Sequence, residues 1–200
     1  MKSLVIIIWS LLFFDSVNVS VEKWVIEKSS SLRIEGKSNV NSFKCDIVEY
    51  LNRDTILLYV DNASEQTQIA AKGGLTLDIN RFDCHQNYVT ADLKKTLKAN
   101  ENAYMKINLL SFGHIKVNTP NQEIKGHVEI QLAGVTKKID VDYVVVKNEV
   151  GSLHLIGTRK LLFSDFKLTP PRKLAGMIKV EEEITVRFQL MLRFVSKKTA

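Results

Sequence analysis

The stretch EIKGHVEIQLAGVTKKIDVDYVVV, Glu123 to Val146, decides the fold class. Ile124, Gly126, Val128, Ile130 and Leu132 share one side of the first run, and Lys125, His127, Glu129 and Gln131 share the other. Beyond AGVTKK, Ile139, Val141, Tyr143 and Val145 alternate with Asp140 and Asp142. A period of two marks a strand with one buried and one wet face. Two such strands joined by a short turn form a hairpin, and its apolar face must be covered by a helix, a second sheet or the far wall of a barrel.

The same alternation recurs outward from this hairpin. It runs through SLRIEG, GGLTLDINRF and YMKINLLSF upstream, and through GSLHLIGTRKLLF and EITVRFQLMLRF downstream, while TILLYVD and QTQIAA are short strand candidates separated by the polar turn DNASE. NVNSFKCDI places Val40, Phe43, Cys45 and Ile47 in a further strand. One segment breaks the pattern. In NYVTADLKKTLKAN, Val89, Leu93 and Leu97 are four apart with lysines between them, which predicts one short helix ending near Asn100. Many antiparallel strands with one apolar face each, and a single helix, must curl or stack. A closed or nearly closed barrel removes the exposed edges, and a two-sheet sandwich is the alternative. A transmembrane barrel ranks third, because Lys, Arg, Glu and Asp run throughout the polar faces.

Composition agrees with one globular unit. The chain has 200 residues, 45% hydrophobic and 25% charged, with only three prolines and nine glycines. That is enough chain to bury a core unaided. The net charge of +6 is spread along alternating faces, so no nucleic-acid footprint is predicted. At the N-terminus, Met1-Lys2 precedes the apolar run Leu4 to Phe14 and the polar DSVNVS. This reads as a secretory signal peptide over 1–20, followed by one domain over 21–200. An uncleaved signal anchor is the alternative. No cysteine follows the apolar run and no second long apolar segment exists, so the expected location is periplasmic or secreted, with no stable membrane span in the mature chain. The two cysteines, Cys45 and Cys84, are expected to form a disulfide in that compartment. A metal site using Cys45, Cys84 and His85 is the competing reading, but it lacks a fourth ligand and the usual spacing.

Three further segments carry a resemblance. GHVEIQLAGVTKKIDVDY, LHLIGTRKLLFSDFKLTPP and IKVEEEITVRFQLML, in that order, resemble the C-terminal half of the YceI-like family. WVIEKSSSLRIEGKSNVNSFKC, LTLDINRFDC and VTADLKKTLKAN resemble its N-terminal half, so the likeness spans about Glu22 to Val195. It implies an extended antiparallel β-barrel of lipocalin-like shape in an exported bacterial protein. Some members hold a polyisoprenoid or quinone-type lipid, and no enzymatic activity is established for the family as a whole. The chain departs from longer members in lacking a histidine-containing segment after the first strand. It also has Met105 where many have proline.

A barrel of about eight strands has room for side chains or for one slender ligand. The phases point inward Met105, Ile107, Leu109, Ile130, Leu132, Val141, Tyr143, Phe188 and Leu190. These are the candidate ligand-lining residues; the same set would equally fill a dry core. Phe163, Phe166 and Pro170-Pro171 are candidate rim residues. Arg159, Lys160, Arg172 and Lys173 lie near them and could meet a polar head group. No nucleophile elbow, zinc motif or phosphate loop is present, and the four histidines are scattered. The expected function is therefore non-enzymatic binding of a hydrophobic ligand, with no cofactor. A packed interaction module of the cell envelope is the alternative. An envelope enzyme built on His85, Asp165 and Arg159 is the third reading.

Overall fold

A computed structural model describes residues 19–48, 50, 52–61, 68–115, 121–146 and 152–199. The segment read as most of the signal peptide lies outside the described residues. Among the described residues twelve strands run in chain order: β1 (Val19–Ile26), β2 (Ser31–Ser38), β3 (Ser42–Ile47), β4 (Thr55–Asp61), β5 (Gln68–Asp78), β6 (Phe82–Asp83), β7 (Tyr104–Gly113), β8 (Gln122–Leu132), β9 (Val135–Val146), β10 (Ser152–Leu162), β11 (Arg172–Lys173) and β12 (Ile178–Thr199). One α-helix, α1 (Asn87–Thr96), sits between β6 and β7. The fold is the expected antiparallel β-barrel of lipocalin-like shape.

Eight strands close the ring in the order β1-β4-β5-β7-β8-β9-β10-β12, with β12 pairing back to β1. The 22-residue β12 makes this possible by serving two neighbours on one edge. Its segment Val180 to Gln189 pairs with β2, and Leu192 to Thr199 pairs with β1. The corner between β1 and β2 is stitched at the handover point. Met191 N–H donates to Ser30 Oγ at 3.0 Å, and Glu27 N–H donates to the Met191 carbonyl at 2.8 Å. From β2 the sheet continues outside the ring through β3 to β6 as a flap.

The opening hairpin is β8–β9, in register from Gln122↔Val145 to Leu132↔Val135. Its turn is Ala133-Gly134, both left-handed with φ of 49° and 79°. Two positive φ values give the turn whose twist matches the strands it joins. Ile124, Val128, Ile130, Leu132, Ile139, Val141, Tyr143 and Val145 are all buried. Tyr143 packs edge-on between Phe112 and Phe188, at 5.5 Å and 5.3 Å between ring centres. Phe188 in turn lies across Gly157, where a Cβ would come within 2.0 Å of its ring.

Free edges are covered. Beyond Gly73, β5 has no β4 partner, and the segment before β4 takes over. Thr76 N–H donates to Asp54 Oδ2, and Asn52 Nδ2 donates to the Thr76 carbonyl. Tyr50 Oη also donates to Asp54 Oδ2, at 2.6 Å. Burial and this carboxylate push the Tyr50 phenol well above its usual range. The β9–β10 pairing is short by contrast, running only from Val146↔His154 to Asp142↔Thr158. Past it, Lys137 of β9 forms an ion pair with Asp165 in the 3₁₀ turn that follows β10.

Cys45 and Cys84 form a disulfide, 39 residues apart. It joins β3 of the flap to the residue after β6. A loop of this length stabilises the fold by about 3–4 kcal/mol in the chain-entropy model. No helix among the described residues is long and apolar enough to cross a membrane.

Candidate ligand-binding cleft

Helix α1 carries the predicted stripe, and the stripe has two jobs. Leu93 and Leu97 are buried and Val89 is half-buried. The helix is held at its start by Thr90 Oγ1, which accepts from Cys84 N–H and donates to Asp83 Oδ1. It ends at Thr96, and Lys98 takes a left-handed conformation just beyond. Val89 and Leu93 face a cleft at the barrel mouth, whereas Leu97 faces the interior.

The cleft has a volume of about 730 Å³. Small-molecule sites commonly occupy ~300–1,000 Å³. One wall is α1, with Tyr88, Val89 and Leu93. The second is the β2–β3 hairpin, with Val40 and Phe43. The third is the 171–180 segment, with Pro171, Leu174, Ile178 and Val180. The second and third walls are clamped together by Asn39. Its Nδ2 donates to the Met177 carbonyl and its Oδ1 accepts from Lys179 N–H, each at 2.8 Å. The third is tied to α1 by Lys173 Nζ and Asp92 Oδ1, 2.6 Å apart.

Phe163 forms the floor. It is buried, and its ring borders both the cleft and a void inside the barrel. That void holds about 50 Å³ and is lined by Met105, Ile107, Ile130 and Leu132 together with Phe166 and Leu168. A second void of about 50 Å³ lies deeper. Ile107, Leu109, Ile130, Val141, Tyr143, Phe188 and Leu190 line it. The two voids share Leu32, Ile107, Ile130, Leu161 and Val186 as a partition. All nine residues placed inward by sequence phase therefore border the voids. Each void has the size of about one or two liquid waters. The ligand-sized space lies at the mouth.

The other candidates are dispersed. Of the rim residues, Phe163 and Pro171 line the cleft, and Phe166 belongs to the interior. Lys160 pairs with Glu183, and Arg159 borders the deeper void from an exposed position on β10. His85 Nε2 contacts Asp46 Oδ2 at 3.1 Å beside Arg33. Burial alone would raise the Asp46 carboxyl, but the Arg33 and His85 hydrogen bonds outweigh it and hold it below its usual range. Asp165 is occupied by Lys137 at another place in the fold. Among the described residues no group of three or more His, Cys, Asp and Glu side chains is placed to hold a metal. The competing metal reading of Cys45, Cys84 and His85 gives way to the disulfide.

Sequence phase missed Val40, Tyr88 and Leu174. Val40 was expected in a strand; it sits in the β2–β3 turn, 57% exposed. None of the three lies in a regular strand, so period two carries no signal for them. Only Val40 carried a compositional hint, as an apolar side chain between Asn39 and Asn41.

A closed antiparallel barrel with an apolar interior and a cleft at one mouth defines a lipocalin-like protein. The chain belongs to the YceI-like family, whose domain model matches residues 24–192. Among solved structures it is similar to BcnA of Burkholderia cenocepacia, at 14% identity and a TM-score of 0.60, covering 81% of this chain and 95% of that one. It is also similar to a polyisoprenoid-binding domain from Saccharophagus degradans implicated in plant cell wall breakdown. There the identity is 10% and the TM-score 0.61, over 86% of this chain and 98% of the other. No curated protein sequence matches it.

Proposed function

We propose that the protein binds a hydrophobic ligand with a slender chain, a polyisoprenoid, quinone or other lipid, without covalent chemistry. The single observation that carries this reading is Phe163, one buried ring standing between a ligand-sized apolar cleft and a line of apolar voids. The bound chain lies in the cleft, with its end directed at Phe163. Deeper entry requires that ring to turn, because the voids hold only a methylene or two as they stand. Each methylene withdrawn from water contributes about 0.8 kcal/mol. Family membership and the name of the Saccharophagus domain support the ligand class. We further propose that the protein acts outside the cytoplasm, in the periplasm or secreted, after removal of an N-terminal signal peptide. Processing upstream of Val19, rather than after the expected Ser20, keeps the first strand whole, since Ser20 is fully buried in β1 and its Oγ donates to the Val60 carbonyl.

Native mass spectrometry of protein purified without detergent from its own host, followed by lipid extraction, tests the binding. A stoichiometric adduct that releases a prenyl or acyl lipid is expected. An apo mass, together with no uptake of added prenyl or acyl lipids, overturns the reading. A second reading, a packed interaction module, is favoured by one observation: large apolar side chains stand exposed around the cleft. In that case the adduct is absent and the rim alone carries the function.

A further inference from the structure

Among the described residues nine large apolar side chains are exposed, and four of them gather at one end of the barrel. Val40 on the β2–β3 turn is 57% exposed, Tyr88 on the first turn of α1 69%, Leu174 63% and Met177 69%. Val40, Tyr88 and Leu174 line the cleft, and the Met177 carbonyl is held by Asn39. Three unrelated chain segments thus present their apolar tips around one opening. Scattered exposed apolar residues need no explanation, but a gathered set marks an interaction surface.

The tip that carries Leu174 is held in an unusual shape. Leu174, Ala175 and Gly176 have successive φ values of 50°, 52° and 92°. A bulky residue is disfavoured in the left-handed region, and such strain persists where function requires it. Here it projects Leu174 outward. Immediately behind the tip, Arg172 and Lys179 are direct cross-strand partners in the β11–β12 ladder, and both are exposed. Like charges placed opposite each other destabilise a strand pair. Neither side chain has a carboxylate partner among the described residues. Of the nearby acids, Asp92 is paired with Lys173 and Glu183 with Lys160, and Glu182 accepts from the Ser164 N–H; Glu181 stands exposed two residues from Lys179 on β12. Lys37 and Lys44 add exposed positive charge on the hairpin behind Val40.

We infer that this end of the barrel docks on an anionic lipid bilayer. The apolar tips enter the interface, and Arg172 and Lys179 meet acidic head groups. Apolar insertion and basic attraction together are the requirement for peripheral membrane binding. Docking in this pose turns the cleft toward the bilayer, yet it does not depend on the cleft holding a lipid.

The test is co-sedimentation of the purified protein with extruded vesicles of phosphatidylcholine alone or with one third phosphatidylglycerol, at low and high salt. Wild type is expected to sediment with the anionic vesicles and to be released by salt. The double variant Leu174→Asn, Met177→Ser is expected to lower partitioning on the order of tenfold, since two tips are lost. Asparagine tolerates the left-handed backbone, and neither original side chain is buried, so folding is preserved. Arg172→Glu with Lys179→Glu should remove the preference for anionic vesicles. Val40→Ser, on a different element, should weaken binding as well. Wild type that sediments with neither vesicle overturns the inference, whatever the cleft binds, and leaves a protein as the partner of the rim. Binding that survives all the variants also overturns it, by placing the contact elsewhere. A lipid adduct in native mass spectrometry without vesicle binding separates failure here from failure of the ligand reading.

Discussion

At the scale of single residues, Phe163 decides how much of the barrel a ligand reaches. Its ring closes the floor of the cleft and the roof of the first void. Phe163→Leu keeps an apolar plug but shortens it, and should cost about 1–2 kcal/mol of stability. Binding of long prenyl chains should strengthen relative to short ones, because methylenes then pass into the barrel. Titration with a chain-length series checks this; affinities that change equally at all lengths would remove Phe163 from the path. The interior residues were legible because period two is strict along β8 and β9 and holds in β12 from Ile184 to Leu192, between its two register shifts. β7 shows where legibility stops. Met105, Ile107 and Leu109 alternate as expected, then the register shifts between Leu109 and Ser111, and Phe112 rather than Ser111 points inward. The only trace of this bulge in the sequence is a polar Ser111 in the apolar phase followed by Phe112, which strict alternation places on the wrong face.

At the scale of elements, the cleft exists because α1 is held against the β2–β3 flap. The Cys45–Cys84 disulfide makes that connection, since Cys84 lies just before the helix and Cys45 lies on β3. Reduction, or Cys45→Ser with Cys84→Ser, should therefore lower the melting temperature and weaken ligand binding at the cleft. The barrel should remain closed. Circular dichroism in the far ultraviolet, read beside a binding titration, separates the two effects. Loss of strand signal in step with binding would show that the disulfide supports the whole fold. The helix was visible in sequence through its stripe of Val89, Leu93 and Leu97. The cleft was not, because its walls meet only after β12 has paired with both β2 and β10. The 171–180 segment carries no period at all.

At the scale of the whole molecule, the ring has one wall that is only partly sewn. β9 and β10 pair along five residues, and below them the Lys137–Asp165 ion pair takes over. The Lys137 hydrogen bond, the Leu162 N–H and nearby Arg159 hold the Asp165 carboxyl below its usual range. A carboxyl depressed in the folded state adds stability above its unfolded value of about 3.9, and that stability is lost as pH falls through the folded value. Asp165→Asn should thus be less stable than wild type at neutral pH. The difference should shrink in acid, as wild type loses the ion pair. Melting curves across pH 2–7 would show the convergence; a constant offset would mean that the substitution acts through packing alone.

The double duty of β12 has a consequence for how the molecule comes into being. Until this last strand arrives, β1, β2 and β10 all present unpaired edges, and the ring cannot close. The fold is therefore out of reach for a chain that has not yet presented β12. Each of those waiting edges is a template for the wrong partner. Contacts between the first and last strands also make closure intrinsically slow. Under the export proposed above, the chain gains from this delay, since closure waits until β12 has been delivered.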